Sequence, residues 1–438
     1  MRFFCLWNME TEDLYQIFLK SKKIIIDSRN AEENSLFFAL KGETFDGNAY
    51  AKSALDKGCP YAIIDKEEYV QGSNFILVEN VLKSLQSLAN YHRKQLNIPI
   101  VAITGTNGKT TTKELVASVL SKKFHVSFTK GNLNNHIGVP LTLLSMDNNT
   151  QLGIVEMGAN HINEIKTLCE IAEPDFGIIT NIGKAHLEGF GSFENIIKAK
   201  SELYEYLKAK NGKVFYNSGN SLLKRIVEGM NLDTIAFGSL NSPVYGEIIS
   251  SEQYLSLKIN LGDFETKINT QLIGNYNLEN VLAASCIGHY YNIEPELIVS
   301  AIEEYVPTNN RSQFLKTTKN NLFLDAYNAN PTSVEAAIKN FSQMPSNDKC
   351  IILGDMLELG SDSRLEHQKI LDLLKENRFD QIFLIGEIYY SLENGNDILK
   401  FKNVDEFKIW LEKNNIVNSN VLIKGSRGIR LEKIVELL

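Results

Sequence analysis

The stretch that most constrains this chain is an apolar run, Ile100 to Thr104, which enters Gly105-Thr106-Asn107-Gly108-Lys109-Thr110-Thr111-Thr112 and leaves through Lys113 to Leu120 with helical spacing. A strand, a glycine loop and a helix in that order let backbone N–H groups and a helix N-terminus hold phosphate, with the lysine on the outer phosphates and a hydroxyl on magnesium. The spacing departs from the strict phosphate-loop pattern, because Ile103 stands where its first glycine would fall. An ordinary glycine turn capped by threonines is the alternative reading. On the nucleotide reading the binding residues are Gly105, Thr106, Asn107, Gly108, Lys109, Thr110 and Thr111.

At 438 residues the chain is long enough for about three domains of roughly 150 residues. Hydrophobic residues at 43% and charged residues at 22% are ordinary globular values, which excludes a disordered chain. A net charge of -8 gives no general attraction to nucleic acid or an anionic membrane surface, so any phosphate must meet a local site. Apolar runs such as Ile98 to Ile103 are strand-length, short of a membrane helix. The opening Met1 to Asp13 turns acidic at Glu10, Glu12 and Asp13 without a cleavage signal, and predicts a cytoplasmic protein. Five cysteines (Cys5, Cys59, Cys169, Cys286, Cys350) lie scattered without CxxC spacing and predict reduced core thiols.

Two polar stretches punctuate the chain, Arg93 to Pro99 and Pro307 to Gln313, and predict domains at 1–95, 96–308 and 309–438. The first mixes short strands (Lys23 to Ile26, Leu36 to Leu40, Tyr61 to Ile64, Phe75 to Val78) with helices, as a small N-terminal α/β domain. The middle segment alternates strands at Ile100, Gly153, Phe176 and Val214 with helices, which argues for a central, mostly parallel sheet of phosphate-loop type. The last repeats the habit with strands at Leu322 to Ala326, Cys350 to Gly354, Gln381 to Ile385 and Asn420 to Ile423, a Rossmann-like, doubly wound domain. The fold class is α/β.

Just beyond strand ends stand Glu156 (EMGAN) and His186 (NIGKAHLE), where open parallel sheets place ligands. Magnesium prefers oxygen, so Thr110 and Glu156 are candidate ligands, whereas His186 is an unusual one on chemistry alone. Lys198 and Lys200, in a helical run from Glu194 to Leu207, read by composition as a solvated face. Thr129 to Pro140 (TKGNLNNHIGVP) reads as a surface loop, long enough to carry function.

Thr104 to Glu114 (TGTNGKTTTKE) resembles the ATP loop of the Mur ligases, the amide-forming enzymes of peptidoglycan precursor synthesis, and the resemblance extends over the whole chain. It implies ATP and magnesium as cofactors, and a catalytic set of Lys109, Glu156, His186 and Lys200. Thr110, Glu156 and His186 would be metal ligands, and Lys200, in Ala199-Lys200-Ser201-Glu202, would be carbamylated to give another. It places Asn277 and Asn280 of Gly274 to Asn280 (GNYNLEN) on the adenine side, where many relatives carry histidine in place of Tyr276, and Arg311 on the ATP phosphates. Asn132, Asn135 and His136 would contact the acceptor, and Ser28, Arg29, Lys41, Gly42, Thr44 and Asp46 would hold its uridine diphosphate end.

The last-domain motifs Asp325 to Pro331 (DAYNANP), Gly354 to Gly360 (GDMLELG) and Lys424 to Arg427 (KGSR) resemble the dipeptide-adding branch, with Tyr327, Asn328 and Asn330 at the donor. The implied partners are UDP-N-acetylmuramoyl-tripeptide and D-alanyl-D-alanine, handled by a monomer. A diamino-acid ligase of the same family, a folylpolyglutamate or cyanophycin-type ligase, and a nucleotide-dependent switch are the alternatives.

Overall fold

The computed structural model describes residues 9–308, 310–346, 348–393 and 397–438. Cys5 and the start of the acidic N-terminal stretch lie outside the described residues. Contacts gather the chain into two compact units, the first comprising Met1–Ala102, Phe124–Ala159 and Glu164–Phe176, the second Ile103–Lys123, Asn160–Asn163 and Gly177–Leu438.

After helix Thr11–Leu19 the first unit forms four parallel strands in the order β1-β2-β3-β4: β1 (Lys23–Ile25), β2 (Ser35–Phe38), β3 (Tyr61–Ile64) and β4 (Phe75–Leu77). Lys23 lies opposite Ser35, Leu36 opposite Tyr61 and Ala62 opposite Phe75. Every residue of β2 is buried, as a parallel strand covered on both faces requires. Ile25, Phe37, Ala39 and Ile64 close one core with Ala51 and Ala54 of helix Ala51–Asp56.

Helix Val81–Leu96 follows, capped by the Asn80 side chain on the Lys83 N–H (2.9 Å) and ended by Asn97 in the left-handed region. The sequence suggested a polar connector from Arg93, yet Arg93 is buried inside this helix. Its guanidinium donates to Ala172 O (3.1 Å), Glu173 O (2.9 Å) and the Asp175 carboxylate (2.9 Å). A cation set on the carbonyl end of helix Glu164–Ala172 satisfies groups that helix cannot pair internally, a partnership invisible in composition. The unit also holds the start of β5 (Ile100–Thr104), together with β6 (Val126–Phe128) and β7 (Leu152–Glu156), which run parallel.

In the second unit the end of β5 lies beside β8 (Phe176–Ile179), where Thr180 N–H donates to Thr104 O (2.9 Å). β9 (Lys213–Asn217) and β10 (Asp233–Phe237) continue the parallel sheet outward. An antiparallel sheet that strand-helix alternation did not predict follows: β11 (Val244–Ser250), β12 (Ser256–Leu261) and β13 (Phe264–Asn269). Its signal is period-two: Leu257, Ile259 and Leu261 are buried while Lys258 between them is exposed.

The final sheet has the order β14-β15-β19-β16-β17-β18, with β14 (Gln313–Lys316) antiparallel and β15 (Asn321–Leu324), β16 (Lys349–Gly354), β17 (Gln381–Ile385), β18 (Ile398–Phe401) and β19 (Asn420–Lys424) parallel. This order sets the C-terminal ends of β15, β19 and β16 side by side, bringing DAYNANP, KGSR and GDMLELG to one edge. Cys59, Cys169, Cys286 and Cys350 are buried and form no disulfide among the described residues. Among the described residues no helix is long and apolar enough to cross a membrane.

His92 joins helix Val81–Leu96 to helix Thr11–Leu19 in the first unit: its Nε2 meets Met146 O (2.8 Å), its Nδ1 faces the Tyr15 hydroxyl (3.3 Å), and its ring sits edge-on to Phe18. Burial makes the ring harder to protonate, outweighing the Met146 bond that opposes it. The unfolded chain therefore binds more protons than the folded one below an ordinary imidazole pKa near 6.5. Stability is complete above that value and declines as pH falls through it. We expect the urea midpoint to be lower at pH 5.5 than at pH 7.5, with a smaller difference in His92→Gln; an equal pH difference in the variant would refute the assignment.

Candidate active site

The phosphate loop is built on two strained glycines. Gly105 has φ +146°, and a Cβ there would stand 2.0 Å from Thr180 Oγ1; Gly108 has φ +76°, and its Cβ would stand 2.5 Å from Asn280 Oδ1. Only glycine fits both the backbone and the space. The turn after β8 braces the loop: Thr106 N–H donates to Asn181 O (2.9 Å), Asn107 N–H to Asn181 Oδ1 (2.9 Å), and the Thr180 hydroxyl to Asn107 O (2.6 Å). Lys109 opens helix Lys109–Leu120, and its ammonium donates to Gly105 O (2.8 Å) and Thr106 O (3.0 Å). Thr110 and Thr111, in the first turn, are buried.

Asn277 and Asn280 support this loop from below. Asn280 Nδ2 donates to Asn277 Oδ1 (2.7 Å), Asn280 Oδ1 accepts from the Thr112 hydroxyl (3.0 Å), and Asn277 Nδ2 donates to Ile273 O (2.7 Å) and Ser312 Oγ (3.0 Å). Their amides are thus engaged within the protein. Tyr276 bends over Gly274, where a Cβ would meet its ring at 2.4 Å. Burial, and then the Asp325 carboxylate, raise its phenol above the ordinary range.

In the first unit Glu156 closes β7 and is 1% exposed. Its N–H donates to Thr129 Oγ1 (2.9 Å), and Asn134 Nδ2 donates to its carboxylate (2.8 Å). Asn134 escaped the sequence reading; the doubled asparagine of the loop beside a strand-end glutamate was its only signal. Asn132 and His136 are exposed, while Asn135 accepts from Ile137 N–H (3.1 Å) and Gly138 N–H (2.9 Å) at the start of helix Gly138–Leu144. The expected surface loop therefore ends inside a helix, with Thr129, Gly138 and Pro140 buried.

In the second unit His186 has φ +51° and its Nδ1 is paired with the Glu358 carboxylate, which the ring contact holds below the usual carboxylate range. Lys198 faces solvent as composition suggested, but Lys200, two residues on, is only 2% exposed, with its ammonium 5.7 Å from the Phe190 ring centre. A solvated face is thus the wrong description of Lys200. A lysine is almost never fully buried unless it has a partner.

At the strand-end edge of the final sheet, Lys424 is buried and paired with Asp325 (2.5 Å), and Ser426 accepts from Leu357 N–H (2.9 Å). Tyr327 has the Arg311 guanidinium on its ring face at 3.5 Å and accepts from Arg427 (3.1 Å). Arg311 Nε is buried without a hydrogen-bond partner among the described residues, a donor left for an anion. Asn330 caps helix Pro331–Gln343 through Ser333 N–H (2.9 Å) and donates to Asn107 Oδ1 (2.7 Å). Of the asparagines read as donor contacts, Asn328 is exposed and Asn330 is committed to the cap and the phosphate loop.

In the N-terminal sheet Asp27 grips Arg29 through three side-chain contacts of 2.7–3.0 Å, which hold its carboxyl at about 2. The Ser28 carbonyl accepts from Lys57. A groove of about 580 Å³ along β1 is bordered by Asp27, Arg29 and Glu32. Lys41 pairs with Asp65 (2.8 Å), Gly42 N–H closes a turn on Phe45 O (3.0 Å), and Thr44 is exposed. Burial raises the Asp46 carboxyl, but Lys66 and Asn48 outweigh it and hold it at about 2. Asn48 is 1% exposed and bonded to Asp46 and Asp65.

The loop geometry generates a test. Gly105→Ala forces an L side chain into a left-handed turn and onto Thr180, a strain of about 1–3 kcal/mol. If that strain falls on the bound conformation, nucleotide affinity drops roughly ten- to a hundredfold with an unchanged circular dichroism spectrum. Unaltered ATP binding by calorimetry would remove this loop from the nucleotide site.

Comparison with known proteins gives the same assignment. Residues 20–106 match the model "Mur ligase family, catalytic domain", residues 103–288 "Mur ligase middle domain", and residues 310–427 "Mur ligase, glutamate ligase domain". The UDP-N-acetylmuramoyl-tripeptide--D-alanyl-D-alanine ligase of Bacillus subtilis is 33% identical over 426 residues, covering 94% of this chain and 92% of that protein. The crystal structure of MurF from Acinetobacter baumannii superposes with a TM-score of 0.88 at 30% identity, covering 97% of each chain. MurF ligase from Thermotoga maritima, in complex with ADP, gives 0.85 at 25% identity over 96% of this chain and 97% of that one. The chain belongs to the Mur ligase family.

Proposed function

We propose that this chain is an ATP-dependent ligase that joins D-alanyl-D-alanine to UDP-N-acetylmuramoyl-tripeptide through an acyl phosphate, a step of peptidoglycan precursor synthesis. The observation that carries the reading is the pair of contacts between Asn107 of the phosphate loop and Asn330 of the DAYNANP motif. They set the phosphate-transfer loop against the strand ends assigned to the amine donor, as two-stage ligation requires.

In the first stage the terminal carboxylate of the acceptor peptide attacks the γ-phosphorus; an O–P bond forms and ADP leaves. Lys109 exchanges its loop carbonyls for the outer phosphates, and the loop N–H groups and Arg311 stabilise the charge that develops. In the second stage the dipeptide amine attacks the acyl-phosphate carbonyl, loses a proton, and expels phosphate to leave the amide. Acyl phosphates hydrolyse, so water must be excluded. The bonds of Lys184 to Thr332 and Glu366, with the Asn107–Asn330 pair, support a closed arrangement around the loop.

The donors suit magnesium: Thr110 offers a hydroxyl, Glu156 a carboxylate and a carbamylated Lys200 a further anionic oxygen, with His186 as the nitrogen ligand. Groups of three or more His, Cys, Asp or Glu able to hold a metal do not occur among the described residues. Magnesium needs no such cage, because it keeps waters and shares phosphate oxygens. When bound, it neutralises the triphosphate. The N-terminal segment, residues 1–95, would bind the uridine diphosphate end, residues 96–308 ATP, and residues 309–438 the donor, in a cytoplasmic monomer.

Phosphate release across a grid of UDP-muramoyl peptides and amine donors tests the reading. We expect turnover with the tripeptide and D-alanyl-D-alanine, and little with free D-alanine, lysine or diaminopimelate. Robust ligation of a diamino acid to the UDP-muramoyl dipeptide would reassign the chain to the neighbouring step. Lys200→Ala should be nearly inactive and partly restored by short carboxylates that replace a carbamate oxygen; a free Lys200 ammonium in a crystal structure with magnesium and nucleotide would refute the carbamate.

A further inference from the structure

We infer that Glu358 is a positioning residue for His186, fixing the orientation and tautomer of that ring from the GDMLELG loop of the final sheet. The inference rests on the reading of His186 as a metal ligand under the proposed function. No role was assigned to Glu358 by motif or spacing.

The loop that carries Glu358 is held at nearly every residue. Asp355, 2% exposed, accepts from Ile388 N–H (2.9 Å) and Tyr389 N–H (3.0 Å), and it sits so close to Gly386 that a Cβ there would approach it to 2.2 Å. Met356 N–H donates to Nε2 of the fully buried His367, which turns its Nδ1 to Ser363 O (2.7 Å). Leu357 N–H ends on Ser426 Oγ. Glu358 itself has φ +65°, costly for a residue with a Cβ, and its carbonyl accepts from Glu188 N–H (3.2 Å). Gly360, at φ +54°, packs on Glu188, where a Cβ would stand 3.3 Å from the Glu188 Cα.

His186 is fixed with equal care. At φ +51° its carbonyl accepts from Gly189 and Phe190 N–H (both 3.0 Å), closing the turn of helix Leu187–Phe190. Two left-handed residues on separate loops thus bring the Glu358 carboxylate into ion-pair contact with a buried Nδ1 that has no other hydrogen-bond partner among the described residues. A carboxylate at one ring nitrogen holds the proton there, leaves the lone pair on Nε2, and stops the ring turning. That is how outer carboxylates prepare metal-binding histidines. A mere latch would be redundant, since Lys184 already ties the same segment to Glu366 (3.0 Å) and Thr332 (3.1 Å).

The experiment uses the full chain, Mn²⁺ as the metal probe and a β,γ-methylene ATP analogue, with Mn²⁺ affinity read by electron paramagnetic resonance. We expect Glu358→Ala to weaken Mn²⁺ binding roughly ten- to a hundredfold, and Glu358→Gln, which keeps an acceptor for Nδ1–H, to recover part of that loss. Acting through the ring, Glu358→Ala should add nothing to His186→Ala. In metal-free protein, nitrogen-15 spectra should show a single Nδ1–H tautomer at His186, and a mixture in Glu358→Ala. Additive losses in the double variant, or Mn²⁺ affinity within twofold of wild type in Glu358→Ala, would overturn the inference. Unchanged Mn²⁺ affinity in His186→Ala would instead overturn the ligand reading beneath it.

Discussion

Everything at the candidate site depends on a backbone that must turn left-handed at Gly105 and again at Gly108 to pass from β5 into helix Lys109–Leu120. Such a loop has no helix or sheet ladder to hold it, so its groups must be paired elsewhere or left for a ligand. Thr180, Asn181 and Gly183 supply one set of partners from the end of β8, and Asn280 seals the other side against Gly108. The strand before the loop and the helix after it are ordinary. The bracing from distant segments is what preorganises the loop for phosphate.

A chain of net charge -8 that handles polyanions must concentrate its positive potential locally. It does so with few full charges. Lys109 lies on the loop carbonyls, while backbone N–H groups and a helix N-terminus provide partial charge without attracting anions elsewhere. Arg311 is laid across the Tyr327 ring, which restricts the guanidinium while its Nε has no hydrogen-bond partner among the described residues. Preorganisation of this kind spares the entropy of ordering a long side chain when the ligand arrives.

Buried ionic groups fix the geometry of the final sheet's ligand edge. Lys424 is 2% exposed and bound to Asp325; Asp355 is buried against the N-terminus of helix Glu387–Ser391 and close to His367. Burial raises the Asp355 carboxyl and lowers the His367 imidazole, so each pulls away from its charged form. Pairs like these add little net stability, but removing one member strands the other, so they tolerate few alternative packings. Their consequence is a set of strand-end loops with defined side-chain directions, Glu358 among them.

Local sequence determined the elements and the residue chemistry. An apolar strand, two glycines and Lys-Thr define a phosphate loop because those interactions lie within about ten residues, and the alternation of strands and helices gives parallel sheets through short-range periodicity. The antiparallel β11–β13 sheet was legible as period two, but its residues were absorbed into an expected strand-helix alternation. What sequence could not determine is partnership across long separations. Arg93 reads as a connector until Ala172 and Glu173 appear beside it, Lys200 reads as solvated until its helix face is packed, and nothing beside Asn330 announces its bond to Asn107, 223 residues earlier. Glu358 and His186 follow the same rule: composition names a carboxylate and an imidazole, and only the folded chain makes them neighbours, because their encounter depends on strand order and loop closure rather than on anything encoded beside either residue.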